Sequence, residues 1–293
     1  MRRPILTADD YAMTDGVARS IEALAVERRL SATSVMTTMP EWPVAAQRLR
    51  GYRDRLAVGL HLNLTLAAPA GRMPRLAPDG IFPSLQSLMR AALLGHLSPD
   101  EVRQEIARQL DLFEAHFGHA PDHVDGHQHV QVLPVVRQAL LAELAARYAM
   151  RPLLVRNPAD AAGQLLARGF AGGKALTVKL LGMGFGRAVR ARRLFVSTRF
   201  AGYSTFDTSA SYEAEISGEI ERQDLDARGL SIVMCHPGYA DMALAAIDPV
   251  VVRRQQEHDA LMRLQKLPER IWHVDRAVDG PTIDWADVQR KLG

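Results

Sequence analysis

Short apolar segments alternate with longer segments of helical periodicity along most of this 293-residue chain. Such alternation predicts a parallel sheet covered by helices. We predict seven or eight mostly parallel strands, which favours an irregular (β/α) barrel over an open sheet. The apolar segments lie at 3–8, 34–36, 56–60, 122–127, 153–156, 194–197, 230–235 and 271–274.

The whole chain, 1–293, is predicted to form a single barrel domain with two loop insertions. The first, near 67–83, contains Pro69, Pro74 and Pro78 in turn-like surroundings. The second, near 160–193, is a helical pattern interrupted by glycines from Gly169 to Gly186. Loops of this length often shape substrate access, so we expect both to influence specificity.

Composition excludes several classes of protein. The chain has 36 basic and 33 acidic residues, and a net charge of +3 is too small to indicate a nucleic-acid partner. The single cysteine, Cys235, rules out an internal disulfide and is typical of a reducing compartment. The chain contains no run of about 18 uncharged apolar residues, so the sequence predicts no transmembrane segment. We therefore expect a cytoplasmic protein.

Polar side chains follow the predicted strands at their carboxyl ends. These residues are Asp9 and Asp10, His61, His127, Arg156 and His236. In a barrel of parallel strands the carboxyl ends share one rim, and active sites form there. The sequence therefore predicts a metal or active site at that rim.

A dense run of metal-capable residues occupies 123–129, with the sequence HVDGHQH. If the run is extended, the period of two places His123, Asp125, His127 and His129 on one face. Imidazoles and a carboxylate converging on one point suit a divalent metal. The alternative is a polar turn of solvated histidines that joins a strand to a helix.

A hydrolytic metal centre needs about three protein ligands and an open position. His61, His127 and one carboxylate of the Asp9-Asp10 pair make such a set. Adjacent strand residues point to opposite sides unless the backbone turns, so the pattern leaves open which aspartate binds the metal. The other aspartate can serve as general base. Imidazole ligands favour zinc, with magnesium and manganese remaining open.

Three of these residues also have plain structural interpretations. His61 can be a hydrogen-bonded core histidine instead of a ligand. His236 can protonate a leaving amine, a role that suits its intrinsic pKa, or it can simply belong to a turn. Arg156 can orient a catalytic carboxylate, bind substrate or lie on the surface.

Four motifs together resemble the YdjC/ChbG-like carbohydrate deacetylases. They are the segments 7–11 (TADDY), 59–65 (GLHLNLT), 123–129 (HVDGHQH) and 235–238 (CHPG). The resemblance extends from about Arg3 to Tyr239. It implies an irregular (β/α) barrel that removes acetyl groups from N-acetylated saccharides with one divalent metal ion, zinc or magnesium. One branch of the family is associated with hopanoid lipids, so a glycolipid substrate remains open, and a homodimer is a further expectation.

The resemblance also implies individual roles. Asp9 would be the catalytic base, Asp10, His61 and His127 the metal ligands, and His236 a residue near the leaving amine. His123, Asp125 and His129 would orient His127 or line the pocket. Two positions depart from the family pattern. Ala12 stands where the family usually has glycine, and Gln131 stands where it usually has a further histidine.

Two rival functions remain at this point. One is a metal-dependent phosphoesterase or amidohydrolase on a similar barrel, although such enzymes typically carry a His-x-His pair on the first strand. The other is a non-catalytic protein that binds a metal or a sugar.

Overall fold

The computed structural model of the protein describes residues 3–159, 180–204, 207–224 and 229–292. Within these ranges eight strands form one sheet, and every strand pairing is parallel. The strands are β1 (Ile5–Tyr11), β2 (Ala32–Val35), β3 (Ala57–Leu62), β4 (His123–Gly126), β5 (Leu154–Val155), β6 (Phe195–Val196), β7 (Arg199–Ala201) and β8 (Ser231–Cys235).

The sheet curls into an irregular barrel with the strand order β6-β5-β4-β3-β2-β1-β8-β7. Its two end strands, β6 and β7, are separated by only two residues of chain. Between them the amide of Ser197 donates to the carbonyl of Val155 (3.3 Å), whereas the amide of Thr198 donates to that of Leu230 (2.8 Å). A single stretch of backbone thus passes from one end of the sheet to the other. The predicted fold class, an irregular (β/α) barrel, is confirmed.

The prediction of a final strand at 271–274 is wrong. This segment crosses the amino ends of β1 and β2, where the amide of Trp272 donates to the carbonyl of Pro4 (2.9 Å). The carbonyl of Trp272 accepts from the Ser31 hydroxyl (2.5 Å). Both sides of β1 are already paired, so the segment finds no free edge there. The strand that the prediction lacked is β7 (Arg199–Ala201). Its three residues are too few to show an apolar pattern.

Helices connect the strands and cover the outside of the sheet. They are Asp15–Val26, Trp42–Leu49, Leu85–Leu93, Pro99–Phe117, Val136–Arg147, Phe185–Ala191, Tyr212–Asp224, Met242–Ala245, Val251–Arg263, Leu267–Arg270 and Trp285–Leu292, with 3-10 turns at Arg50–Tyr52 and His127–Val132. Ser98 caps the longest of these helices by accepting from the amide of Glu101, with Pro99 in the first turn. None of the helices in the described ranges has both the length and the apolar character needed to cross a membrane.

The core divides at the strands into an inner and an outer cluster. Ile5 belongs to the inner cluster and its neighbour Leu6 to the outer one, as the period of two requires. Trp272 and Trp285 pack with the inner cluster near the amino ends of the strands. Apolar side chains therefore fill the barrel interior near this end, and the polar residues of the interior gather at the carboxyl ends.

The first predicted insertion is tied to the helix Pro99–Phe117 by two carboxylates. Glu105 accepts from the amides of Ala70 and Gly71, and Glu101 accepts from those of Arg75 and Leu76. Of the second predicted insertion, residues 160–179 lie outside the described ranges. The single domain over 1–293 stays a prediction.

Candidate metal and active site

A cavity of about 360 Å³ opens at the carboxyl ends of the strands. Six of the nine site residues predicted from the sequence line it, namely Asp9, Asp10, His61, His127, His129 and His236. The other three, His123, Asp125 and Arg156, are buried behind its wall. The carboxyl ends of the strands thus bring the nine residues together in and behind the wall of one cavity.

A bulge at the end of β1 turns both aspartates towards the interior. Asp10 has a left-handed backbone with φ of 66°, and the register between β1 and β2 shifts between Ala8 and Tyr11. Asp9 and Asp10 are each only 1% exposed. A regular strand would point the two carboxylates to opposite sides, so the bulge is what lets them share one site. Ala12 is also left-handed (φ 70°), a conformation that normally favours glycine.

Asp10 contacts His61 and His127 through one of its two carboxylate oxygens. Its Oδ1 lies 3.2 Å from Nε2 of His61 and 2.9 Å from Nδ1 of His127. The second oxygen, Oδ2, accepts from Arg254 at 2.6 Å. Burial raises the pKa of Asp10, but Arg254, His127 and His61 outweigh burial and hold that pKa well below its usual value. Asp10 is therefore an ionised carboxylate at neutral pH.

The orientation of His61 is fixed from behind by Asp125. Nδ1 of His61 lies 2.6 Å from Oδ1 of Asp125, so this nitrogen donates its proton and Nε2 faces Asp10. Burial lowers the pKa of His61, but the carboxylates of Asp9 and Asp125 outweigh burial and raise it to about 10. Without a cation, His61 thus takes up a proton; with a metal at Nε2 the same ring would be neutral.

Asp125 sits in a network of buried donors. Its Oδ2 accepts from Ser34 (2.6 Å) and lies 3.1 Å from Nη1 of Arg156. His123 reaches the same hydroxyl with Nε2 at 3.1 Å. Space behind His123 is tight, because a Cβ at Gly59 would lie 2.4 Å from its ring. Burial raises the pKa of Asp125, but Arg156 and His61 outweigh burial and hold that pKa below its usual value, so Asp125 is also ionised.

Arg156 binds the carboxylate of Asp9 through two hydrogen bonds. Nη1 donates to Oδ1 at 2.7 Å and Nη2 donates to Oδ2 at 2.8 Å. Burial lowers the pKa of Arg156, but Asp125 and Asp9 outweigh burial and raise it. Of the alternatives for Arg156, the structure shows the one in which it orients a carboxylate. Gln131, one of the two departures from the family pattern, is buried and donates from its side-chain amide to the carbonyl of Arg156 (3.3 Å).

The histidine run is extended only over His123–Gly126, so the condition for placing all four side chains on one face is not met. A 3-10 turn begins at His127, and both Gln128 (φ 53°) and His129 (φ 62°) are left-handed. This turn brings Nδ1 of His127 to Asp10. His129 is directed instead at an aromatic group, with its ring centre 5.5 Å from those of Phe200 and Tyr203.

His236 directly follows β8 and lines the cavity. Its amide donates to Oε2 of Glu257 at 2.5 Å. Burial lowers the pKa of His236 to about 4, against the opposing effect of Asp10 and Asp9. Burial likewise raises the pKa of Glu257 to about 7. His236 is therefore neutral at neutral pH.

The sequence reasoning missed a part of the site that the helix Val251–Arg263 supplies. Arg254 from this helix contacts Asp10, and its Nε donates to Asp248 at 2.5 Å. Arg254 and Asp248 both line the cavity. The signal available in the sequence was the number of charged residues in this helix. Three of them, Arg253, Arg254 and Glu257, are buried in the structure. Charged residues are almost never buried unless they are paired.

The residues around Asp10 fit a divalent metal by both donor type and charge. Oxygen and nitrogen atoms of Asp10, His61 and His127 lie within 4.8 Å of one another. Four carboxylates contact two guanidinium groups here, which leaves two negative charges in excess. The four are Asp9, Asp10, Asp125 and Asp248, and the two are Arg156 and Arg254. One divalent cation balances that excess.

A second group, Asp9, His61 and Asp125, also satisfies the distance criterion. It is the weaker metal site for two reasons. Arg156 already binds both of its carboxylates. Asp125 in addition does not line the cavity, so a metal there would have no route to a substrate.

Comparison with known proteins agrees with this geometry. The sequence model of the YdjC-like protein family matches residues 3–266. Human carbohydrate deacetylase is 32% identical over 154 residues, 51% of this chain and 47% of the human protein. Mouse carbohydrate deacetylase is 32% identical over 163 residues, 54% of this chain and 51% of the mouse protein. The chain thus spans about half the length of the curated relatives it matches.

The fold has a counterpart in a crystal structure. A protein from Enterococcus faecalis, titled as a cellobiose-phosphate cleavage protein, aligns with a TM-score of 0.66. The alignment covers 92% of this chain and 93% of that protein, with 21% sequence identity. At this identity the similarity concerns the fold alone. The family match spans nearly the whole chain and includes every residue of the site, and the chain therefore belongs to the YdjC-like family.

Proposed function

We propose that this protein is a metal-dependent carbohydrate deacetylase that hydrolyses an N-acetyl group on a saccharide or glycolipid. The observation that carries the proposal is the cavity in which Asp9 and His236 flank the set Asp10, His61 and His127. The names of the human and mouse relatives support the reaction class.

Asp10, His61 and His127 would hold one zinc or magnesium ion. When bound, such an ion supplies Lewis acidity for the amide carbonyl and activates water near neutral pH. Two neutral imidazoles in the set favour zinc over magnesium. The contact with Asp125 supports the assignment, because it keeps a proton on Nδ1 of His61 and leaves Nε2 as the atom that would bind the ion.

Asp9 is the proposed general base. Arg156 fixes its orientation through both oxygens, and each oxygen keeps a second lone pair that can accept a proton from water. Asp9 lies beside His61, with 4.0 Å between its Oδ2 and Nε2 of the histidine. The base therefore sits next to the ligand set without contributing to it.

His236 is the proposed proton carrier for the leaving amine. Because its pKa is lowered to about 4, the ring is neutral before the reaction and has no spare proton. Hydrolysis of an amide balances without an external acid, since the proton that Asp9 removes from water is the one that the amine needs. His236 can accept this proton and pass it on, which makes acid and base two parts of one relay.

An acetate-release assay over N-acetylated saccharides tests the reaction class, with metal-depleted and metal-restored protein compared. Acetate from at least one substrate supports the proposal. Release of phosphate from a sugar phosphate would instead favour the phosphoesterase alternative. Metal binding without hydrolysis of any acetylated saccharide would favour a binding protein.

A further inference from the structure

Arg254 occupies an unusual place, since it presents a cation to a proposed metal ligand. It projects from the helix Val251–Arg263, is 3% exposed and lines the cavity. Its Nη2 donates to Oδ2 of Asp10 at 2.6 Å, and its Nε donates to Oδ2 of Asp248 at 2.5 Å. Two carboxylates thus hold one guanidinium in a fixed orientation.

The two oxygens of Asp10 are divided between different partners. Oδ1 faces His61 and His127, at 3.2 Å and 2.9 Å. Oδ2 is taken by Arg254. A carboxylate can bind a metal through one oxygen or through both, and binding through both fills a further coordination position. A hydrolytic site needs that position to remain open.

We propose that Arg254 is a positioning residue that restricts Asp10 to one-oxygen binding of the metal. The inference rests on the proposed function, because it takes Asp10, His61 and His127 as the ligand set. Arg254 would also lower metal affinity through charge repulsion, in exchange for an open coordination position. Asp248 contributes by anchoring the other side of the guanidinium.

Cobalt substitution of the 293-residue chain tests this proposal. Co²⁺ absorbs visible light strongly when four- or five-coordinate and weakly when six-coordinate, so its spectrum reports coordination directly. We expect strong absorption in the wild type and a several-fold weaker band in Arg254→Met, where Oδ2 is free to bind. The same variant should bind Co²⁺ about tenfold more tightly or better, because a nearby positive charge is gone. Turnover should nevertheless fall.

Matched variants separate this role from general loss of a buried arginine. Arg253→Met removes a neighbouring buried arginine that binds Glu215 instead of Asp10, and its cobalt spectrum should equal that of the wild type. Asp248→Asn leaves the bond from Arg254 to Asp10 in place and should also keep the wild-type spectrum. If Arg254→Met does not fold, Arg254→Gln offers an uncharged polar group and should shift the spectrum in the same direction.

An unchanged cobalt spectrum in a folded Arg254 variant overturns the inference, whatever the affinity. A changed spectrum in Arg253→Met overturns it as well. Failure of the wild type to bind cobalt at all has a different meaning, since it would contradict the proposed metal site itself.

Discussion

The bond between Asp9 and Arg156 decides how the proposed base can be tested. Asn in place of Asp9 still accepts from Arg156 but is no longer a base. All three proposed ligands remain, so Asp9→Asn should still bind metal, less tightly because a nearby negative charge is gone, while its turnover at saturating metal falls about 100- to 10,000-fold. Metal titration and initial-rate measurements on the same preparation check both parts. Full activity in this variant would refute the assignment of Asp9.

Ala12 is a second residue with a sharp expectation. Its left-handed backbone costs about 1–2 kcal/mol, whereas its fully buried methyl group contributes about 0.8 kcal/mol. Ala12→Gly should therefore be neutral or stabilising by about 1 kcal/mol. Ala8→Gly is the matched control, because Ala8 is equally buried in β1 without a positive φ and should lose about 1–2 kcal/mol. Urea unfolding of both variants measures the difference. An equal loss of unfolding free energy in Ala12→Gly and Ala8→Gly would contradict the left-handed strain assigned to Ala12.

The protonation of His61 ties metal-free stability to pH. Its pKa is raised to about 10 in the folded protein, against 6.5 for an ordinary histidine. The resulting stabilisation is fully present below pH 6.5 and is lost as the pH rises through 10. We therefore expect the free energy of unfolding of metal-free protein to fall across this window. Urea unfolding at several pH values measures it, and His61→Gln should lack this component. An identical pH slope in both proteins would contradict the assignment.

Among the elements, Asp122 links the C-terminal segment that contains Arg276 and Ile283 to the amino end of β3 by hydrogen bonds. This carboxylate accepts two bonds from Arg276, at 2.7 and 2.8 Å, and one each from the amides of Val58 and Ile283. Asp122→Ala leaves Arg276 buried without its charge partner and should cost about 3–5 kcal/mol in unfolding free energy. Metal affinity should not change, because Asp122 precedes β4 at the end away from the cavity.

A surface ion pair provides the control for that change. Asp287 pairs with Arg290 and Lys291 on the outer face of the helix Trp285–Leu292, and its removal should have little effect on unfolding. Comparable losses from Asp122→Ala and from Asp287→Ala would contradict the proposed link.

Elements with strong local signals were predictable from the sequence. Apolar strands such as β1 and β8 and the helix that starts after Ser98 lie where their patterns indicate. The short strand β7 was missed because three residues carry no periodicity. For the histidine run the sequence left a strand and a turn both open, and left-handed residues such as Gln128 end the strand early in the structure.

For the whole molecule, the strand-end rule identified the site because the barrel gathers distant segments at one rim. The rule could not find Arg254, since this residue follows no strand and lies 244 positions from Asp10 in the sequence. Charge balance shows why such a residue is needed. Four buried carboxylates without Arg254 and Arg156 would leave far more negative charge than one divalent ion balances.

Acetate release from N-acetylated saccharides by metal-depleted and metal-restored protein tests the central claim most directly. The proposed function predicts negligible release after metal removal and recovery when about one equivalent of divalent metal per chain is restored. Acetate release that is equally fast without metal would contradict it, as would metal binding with no release from any acetylated saccharide.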